Sequence, residues 1–315
     1  MIRNSLYIIL ISFVLLSGCA KTNTASQDVP EFTDAVAKAL ALQKEGNFQE
    51  SLVWYAQALK IKETPQLRNG AGAALLSSGS TEAALKEFDR ALTFTPSSPD
   101  IQANRGTALF RLKEYDEALD SFNKALSYNP AHAQALNGKA LVQLTRKHYD
   151  SALILLIQAQ KAAPEKALIK YNSAIAFEAA GLLEDAEKAF TQYIKETPKD
   201  AKAFNGRGVV RMKLKKYAAS AQDFDNAIAL SPTNGKFYYN RGLLWQKQLK
   251  YTDAIKDYTR SIAYTPDNGT TYVNRGNTYF LLDEKEKGCR DLKKACSMGL
   301  CEKLEAYKNI NSCIE

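Results

Sequence analysis

The sequence predicts an all-α protein, a right-handed α-solenoid of about eight 34-residue helix-turn-helix repeats with a C-terminal cap helix. Two observations predict the array and a third its end. Pro96, Pro130, Pro164, Pro198, Pro232 and Pro266 follow one another at intervals of 34 residues, and a fixed period of that length marks stacked helical hairpins. Small and aromatic residues keep register with the prolines. Gly72, Gly106, Gly208, Gly242 and Gly276 share one column, with Ala140 and Ala174 standing in. Finally, Cys289, Cys296, Cys301 and Cys313 crowd into the last 27 residues, where an array needs closing.

Further columns supply the packing. Ala84, Ala118, Ala152, Ala186 and Ala254, with Ser220 once in their place, fall on the second helix of each hairpin. Phe88, Phe122, Leu156, Phe190, Phe224 and Tyr258 follow four residues later, and Ala91, Ala125, Ala159 and Ala227 three beyond those. Spacings of three and four put these on one helix face. Small residues let two helices approach, the ring fills the remaining space, and proline ends the second helix. The pattern resembles the tetratricopeptide repeat family from residue 32 to about 300. The resemblance implies repeats at 32–64 (degenerate, with Phe48, Ser51, Tyr55 and Ala58), 65–98, 99–132, 133–166, 167–200, 201–234 and 235–268. An eighth, also degenerate, covers 269–300 with Gly288 and Leu292 in the alanine and aromatic columns. Residues 301–315 form the cap, since end repeats lack a neighbour on one face.

The first residues carry a different signal. Arg3 precedes an apolar run, Leu6 to Leu16, that is too short to span a bilayer and has the length of a signal-peptide core. Leu16-Ser17-Gly18-Cys19 then resembles the bacterial lipobox. That resemblance implies cleavage after residue 18, lipidation (diacylglyceryl and palmitate-type acyl chains) at Cys19, and a polar tether over 19–31. Several acyl chains suffice for stable anchoring. The expected location is the bacterial outer membrane, lipid-anchored and facing the periplasm. An oxidising compartment makes the four late cysteines a disulfide framework with three possible pairings. An antiparallel hairpin favours Cys296 with Cys301 near the turn and Cys289 with Cys313 at the open end; a zinc site is the rival.

The formal charge is +8, from 42 Lys and Arg against 34 Asp and Glu. The cations are spread along the chain and gather where helices end, for example Lys213, Lys215 and Lys216, where they answer the helix dipole. Nucleic acid is therefore not expected as a partner. No phosphate loop, nucleophile elbow, zinc-protease motif or dinucleotide fingerprint occurs. The two histidines, His132 and His148, fall in turns. No catalytic residue, metal or cofactor is expected.

What remains is a groove along the first helices. Asn104, Asn172, Asn240 and Asn274 occupy one position, while Asn69, Asn137 and Asn205 lie one position earlier in the alternate repeats. With Tyr171 and Tyr239, and Phe110 and Phe280 nearby, these amides either grip an extended peptide or partner helix or brace neighbouring first helices through backbone hydrogen bonds. The lysine–asparagine clamp with which some family members hold a terminal carboxylate is absent. The expected function is a non-catalytic protein-interaction scaffold for an envelope protein or peptide. The alternatives are a binder of anionic glycan or cell-wall polymer and a regulatory subunit of an envelope hydrolase.

Overall fold

The structure, a computed structural model, describes residues 28–309 and Cys313. The lipobox and Cys19 lie outside the described residues. Among those described there are seventeen α-helices and no strand. They fall into two compact units divided between Tyr128 and Asn129.

The first unit holds three antiparallel hairpins: α1 (Asp28–Glu45) with α2 (Phe48–Ile61), α3 (Pro65–Ser77) with α4 (Thr81–Phe94), and α5 (Pro99–Arg111) with α6 (Tyr115–Tyr128). Because α1 starts at Asp28, residues 28–31, assigned by sequence to the tether, are helical. The second unit continues with α7 (Ala133–Thr145) and α8 (Tyr149–Ala162), α9 (Ala167–Ala179) and α10 (Leu183–Glu196), and α11 (Ala201–Lys213) and α12 (Tyr217–Leu230). It ends with α13 (Gly235–Lys247) and α14 (Tyr251–Tyr264), α15 (Gly269–Leu281) and α16 (Lys285–Cys296), and the short α17 (Glu302–Asn309). Within each unit the first helices touch from hairpin to hairpin: α1, α3 and α5 in one, α7, α9, α11 and α13 in the other.

The residues that make these hairpins are the ones the period picks out. Phe88, Phe122, Phe190, Phe224 and Tyr258 are fully buried, each ring contributing about 1.5–3 kcal/mol by its removal from water. The ring of Phe88 lies over Gly72, Phe122 over Gly106, Phe224 over Gly208 and Tyr258 over Gly242; a Cβ on any of these glycines would come within 2.7 Å of the ring. Phe190 faces Ala174 in its own hairpin and lies instead over Gly206 of the next, 2.6 Å from where a Cβ would stand. Where serine replaces the column alanine, its hydroxyl donates to a carbonyl of the partner helix: Ser51 Oγ to Ala39, 2.9 Å, and Ser220 Oγ to Gly208, 2.7 Å. Where tyrosine replaces phenylalanine, Oη donates to a glutamine: Tyr55 to Gln43, 2.6 Å, and Tyr258 to Gln246, 2.8 Å. No buried hydroxyl is then left unsatisfied at those two tyrosines.

The turns are equally regular. Entering the first helices, Thr64, Ser98, Asp200 and Asn234 accept backbone N–H groups of the first turn, as N-caps do. His132 takes the same place, its Nδ1 accepting from Ala135 N at 3.2 Å. This gives the turn histidine a local structural role, and His148 Nδ1 likewise sits 2.9 Å from Gln143 Oε1.

At the far end the pairing is Cys289 with Cys313 and Cys296 with Cys301, Cα atoms 5.5 and 4.0 Å apart. Leu304 of α17 and Cys313 pack on Leu292, with Val273 and Phe280 alongside. The cap thus does for α16 what a following first helix does for every earlier second helix of the unit. Phe280 fills the space opposite Gly288, where a Cβ would lie 2.6 Å from the ring. Reduction with a dithiol is expected to release the cap before the array melts, because the Cys289–Cys313 link closes 24 residues and is worth about 3 kcal/mol to so small an element. Hydrogen exchange should show faster exchange at α16 and α17 alone; unchanged protection there would refute the stapling role.

Candidate functional site

The first-helix face was the surface the sequence singled out, and the structure shows what its residues do there. Asn104 Nδ2 donates to Asn69 Oδ1 at 2.9 Å, Asn172 Nδ2 to Asn137 Oδ1 at 2.8 Å, and Asn240 Nδ2 to Asn205 Oδ1 at 2.8 Å. Asn274 Nδ2 donates to Tyr239 Oη at 2.9 Å. Every pair joins two neighbouring first helices and spans 35 residues, one period plus one. The alternation of asparagine positions is therefore a clasp with one half on each helix. Asn137, Asn172, Asn205 and Asn240 are buried, 7–8 % exposed. They brace the array through side chains rather than backbone, and the expectation that their amides stand free to grip a peptide does not fit this geometry.

Removing half of a buried clasp leaves the other amide without its partner, which costs about 1–3 kcal/mol. Asn172→Ala is accordingly expected to lower the stability of the second unit by that amount in urea melts. Asn172→Ala combined with Asn137→Ala should lose less than twice as much. Strict additivity would mean that the two side chains do not act as a pair.

With the amides engaged, other side chains give the face its character. Leu141, Ile175, Val209 and Leu243 hold one register position on α7, α9, α11 and α13, all half-buried. Tyr171 and Tyr239 are half-buried beside them, Tyr171 packed edge-on against Phe190 with centroids 5.9 Å apart. Burial raises the phenol pKa of both above the usual range, so they remain neutral hydrogen-bonding groups. Earlier on the same helices stand exposed Leu168, Lys202 and Lys236.

A second constellation escaped the sequence reading. Arg207, Arg241 and Arg275, each between the asparagine and glycine columns, reach an aspartate sixteen residues on in their own hairpin. The pairs are Arg207 with Asp223 (3.0 and 2.7 Å), Arg241 with Asp257 (2.7 and 2.8 Å) and Arg275 with Asp291 (2.7 and 2.8 Å), all two-pronged. The same guanidinium groups also reach sixteen residues back, to Thr191, Asp225 and Thr259. Each arginine thereby ties three helices. In the first unit Arg105 repeats the arrangement with Asp89 and Ser121, both at 2.7 Å. Asp223 is 1 % exposed and Asp257 4 %. Hydrogen bonds donated to Asp257 hold the Arg241 guanidinium well above its ordinary pKa; at Arg275, burial alone would lower it and the bonds to Asp291 outweigh that. The signal in the sequence was an arginine and an aspartate recurring at a fixed sixteen-residue offset.

Among the described residues, no group of three or more His, Cys, Asp or Glu is placed to hold a metal ion, and no helix is long and apolar enough to cross a membrane. The two units are thus rows of helical hairpins whose polar side chains hold hairpin to hairpin, the construction of an α-solenoid scaffold. Tetratricopeptide repeat models match residues 72–113, 99–132 and 171–235, so repeats of this family are present in the chain. Such repeats are in general protein-interaction scaffolds. Among proteins of curated function none matches. A tetratricopeptide repeat protein from Parabacteroides merdae superposes with a TM-score of 0.58 at 19% identity, over 79% of this chain and 99% of that one. The Cut9–Hcn1 hetero-tetramer of APC/C gives a TM-score of 0.70 at 16% identity, over 92% of this chain and 57% of that one. At these identities the likeness is one of fold.

Proposed function

We propose that this chain is a non-catalytic scaffold of the bacterial envelope, tethered through a lipidated Cys19, that presents the first-helix face of its second unit to a protein partner. The observation that carries the reading is the row Leu141, Ile175, Val209 and Leu243. Four aliphatic side chains at one register, flanked by two tyrosines and by exposed Leu168, Lys202 and Lys236, form a strip that suits an extended segment with apolar side chains and an acidic flank. The neighbouring amides are already paired and add shape rather than affinity.

Photo-crosslinking amino acids at positions 168, 202 and 236 test the face, with Lys256 and Arg290, exposed on the second helices, as controls. One partner band from the first set and none from the controls supports the reading; equal labelling of both sets, or none at the first, overturns it. For the tether, Cys19→Ala should abolish labelling by radioactive palmitate and move the chain from the membrane to the soluble fraction. A variant that stays membrane-bound and labelled would refute lipidation at that residue.

A further inference from the structure

From α4 onward the second helices of the array have polar outer faces, with one exception; α2, in the degenerate first repeat, carries exposed Val53 and Ala56 at the corresponding positions. At the two outermost positions the others carry residues such as Lys188 and Lys256, and Thr191, Asp225 and Thr259. On α8 these positions are Ile154 and Ile157, 58 % and 62 % exposed. The arginine clasp is also missing beside them: its arginine is replaced by Ser173, its aspartate by Ala189, and its third member is Ile157 itself. A cleft of about 220 Å³ lies there instead, with Ser173, Phe177 and Ala189 on its walls beside charged Lys170, Asp185 and Lys188. All three members of the clasp depart together, which leaves an apolar stripe facing water.

The stripe has charged ends. Asp150 and Lys161 are exposed, in the first and last turns of α8, and neither makes an ion pair among the described residues. At 100° per residue, Asp150, Ile154, Ile157 and Lys161 fall within about 60° of one another, on one face some 16 Å long. Their spacing is symmetric. Asp150 and Lys161 lie equally far from a point between Leu155 and Leu156, and so do Ile154 and Ile157. A two-fold axis through that point, normal to the helix, brings a second α8 in antiparallel. Ile154 then meets Ile157 of the other copy and Asp150 meets its Lys161, at both ends. Self-complementarity of this kind is what an isologous two-fold contact requires. On the rim Lys188 is paired with Asp185 at 3.3 Å.

We propose that the occupant of this face is a second copy of the chain, docked through α8 as an antiparallel helix pair. One helix face is a small contact compared with interfaces of about 1,200–2,000 Å², so dissociation in solution is on the order of 10 µM or weaker. Confinement to a membrane surface would raise the effective concentration and populate the dimer.

Sedimentation equilibrium of the full chain in density-matched neutral detergent tests this. A monomer–dimer equilibrium is expected, with Ile157→Glu shifting it at least tenfold toward monomer at unchanged helix content and melting temperature. Asp150→Lys and Lys161→Asp should each weaken the dimer, and the double exchange should restore it to within about threefold, since opposite charges again face each other. A chain that remains monomeric at about 200 µM overturns the proposal, as does a dimer indifferent to Ile157→Glu. A dimer that the exchange does not restore overturns the antiparallel register. Capture of a different protein by α8 in place of a second copy would also overturn it.

Discussion

Asp257→Ala is expected to destabilise the second unit by about 3–5 kcal/mol, the usual consequence of breaking a buried ion pair from one side. The carboxylate accepts two bonds from Arg241 and a third from Trp245 Nε1 at 3.0 Å. Its loss leaves the guanidinium, 21 % exposed, with Asp225 alone. Trp245 is a convenient reporter, because its indole loses its acceptor in the variant and its fluorescence follows unfolding of that hairpin. An array also transmits the loss, since each hairpin is stabilised chiefly by its neighbours. Replacing the pair as a whole, Arg241→Met with Asp257→Leu, should recover most of the stability, because the cost arises from stranding a charge. A single variant losing less than about 1 kcal/mol would show that the clasp is dispensable.

Gly208→Val should rank next, at about 3 kcal/mol. Valine gains helix propensity over glycine by a few tenths of a kcal/mol, but its Cβ would stand 2.7 Å from Cε1 of Phe224, a ring with no exposed surface. Overpacking a core of native density costs about 1–3 kcal/mol, and a β-branched side chain stiff at χ1 falls at the upper end. The chain itself contains the compensation. In the repeat where the glycine column holds Ala140, the aromatic column holds Leu156. Gly208→Ala alone is therefore expected to destabilise, whereas Gly208→Ala with Phe224→Leu should be more stable than the sum of the two single changes. A double-mutant cycle with no coupling would mean that the two columns do not determine each other.

The glycine and aromatic columns were legible because each is one residue type repeated at one interval, and the packing they specify is local to a hairpin. Prolines at the same interval set where each hairpin ends. The asparagines were legible as a pattern but not as pairs. Asn137 meets Asn172 one period and one residue later, so a reading of each helix as a separate surface leaves both amides unassigned. Arg241 and Asp257 were hidden for a related reason. Arg241 is one of many cations spread along the chain, and a sixteen-residue offset joins two helices across a turn rather than two positions on one face. The stripe on α8 is visible only after the columns are aligned, as a departure from them. The lipoprotein reading rests on residues 3–19, outside the described part of the chain.

The asparagine clasps have a consequence for how such an array can be cut and grown. The amide–amide clasps join α3 with α5, α7 with α9, and α11 with α13, so hairpins are coupled two by two, and the amide–tyrosine clasp Asn274–Tyr239 ties α15 onto the last couple. The step from α9 to α11 carries no such clasp; it is closed by Phe190 seated over Gly206 and by Arg207 and Arg211, which reach back to Thr191 and Glu187. Severing the chain inside a couple strands an amide in the interior; severing it between couples exposes a ring and costs Arg207 its Thr191 contact but leaves its Asp223 pair whole. The heritable module is thus two hairpins long, and gene duplications, circular permutants or designed extensions that respect it should fold where those out of phase do not.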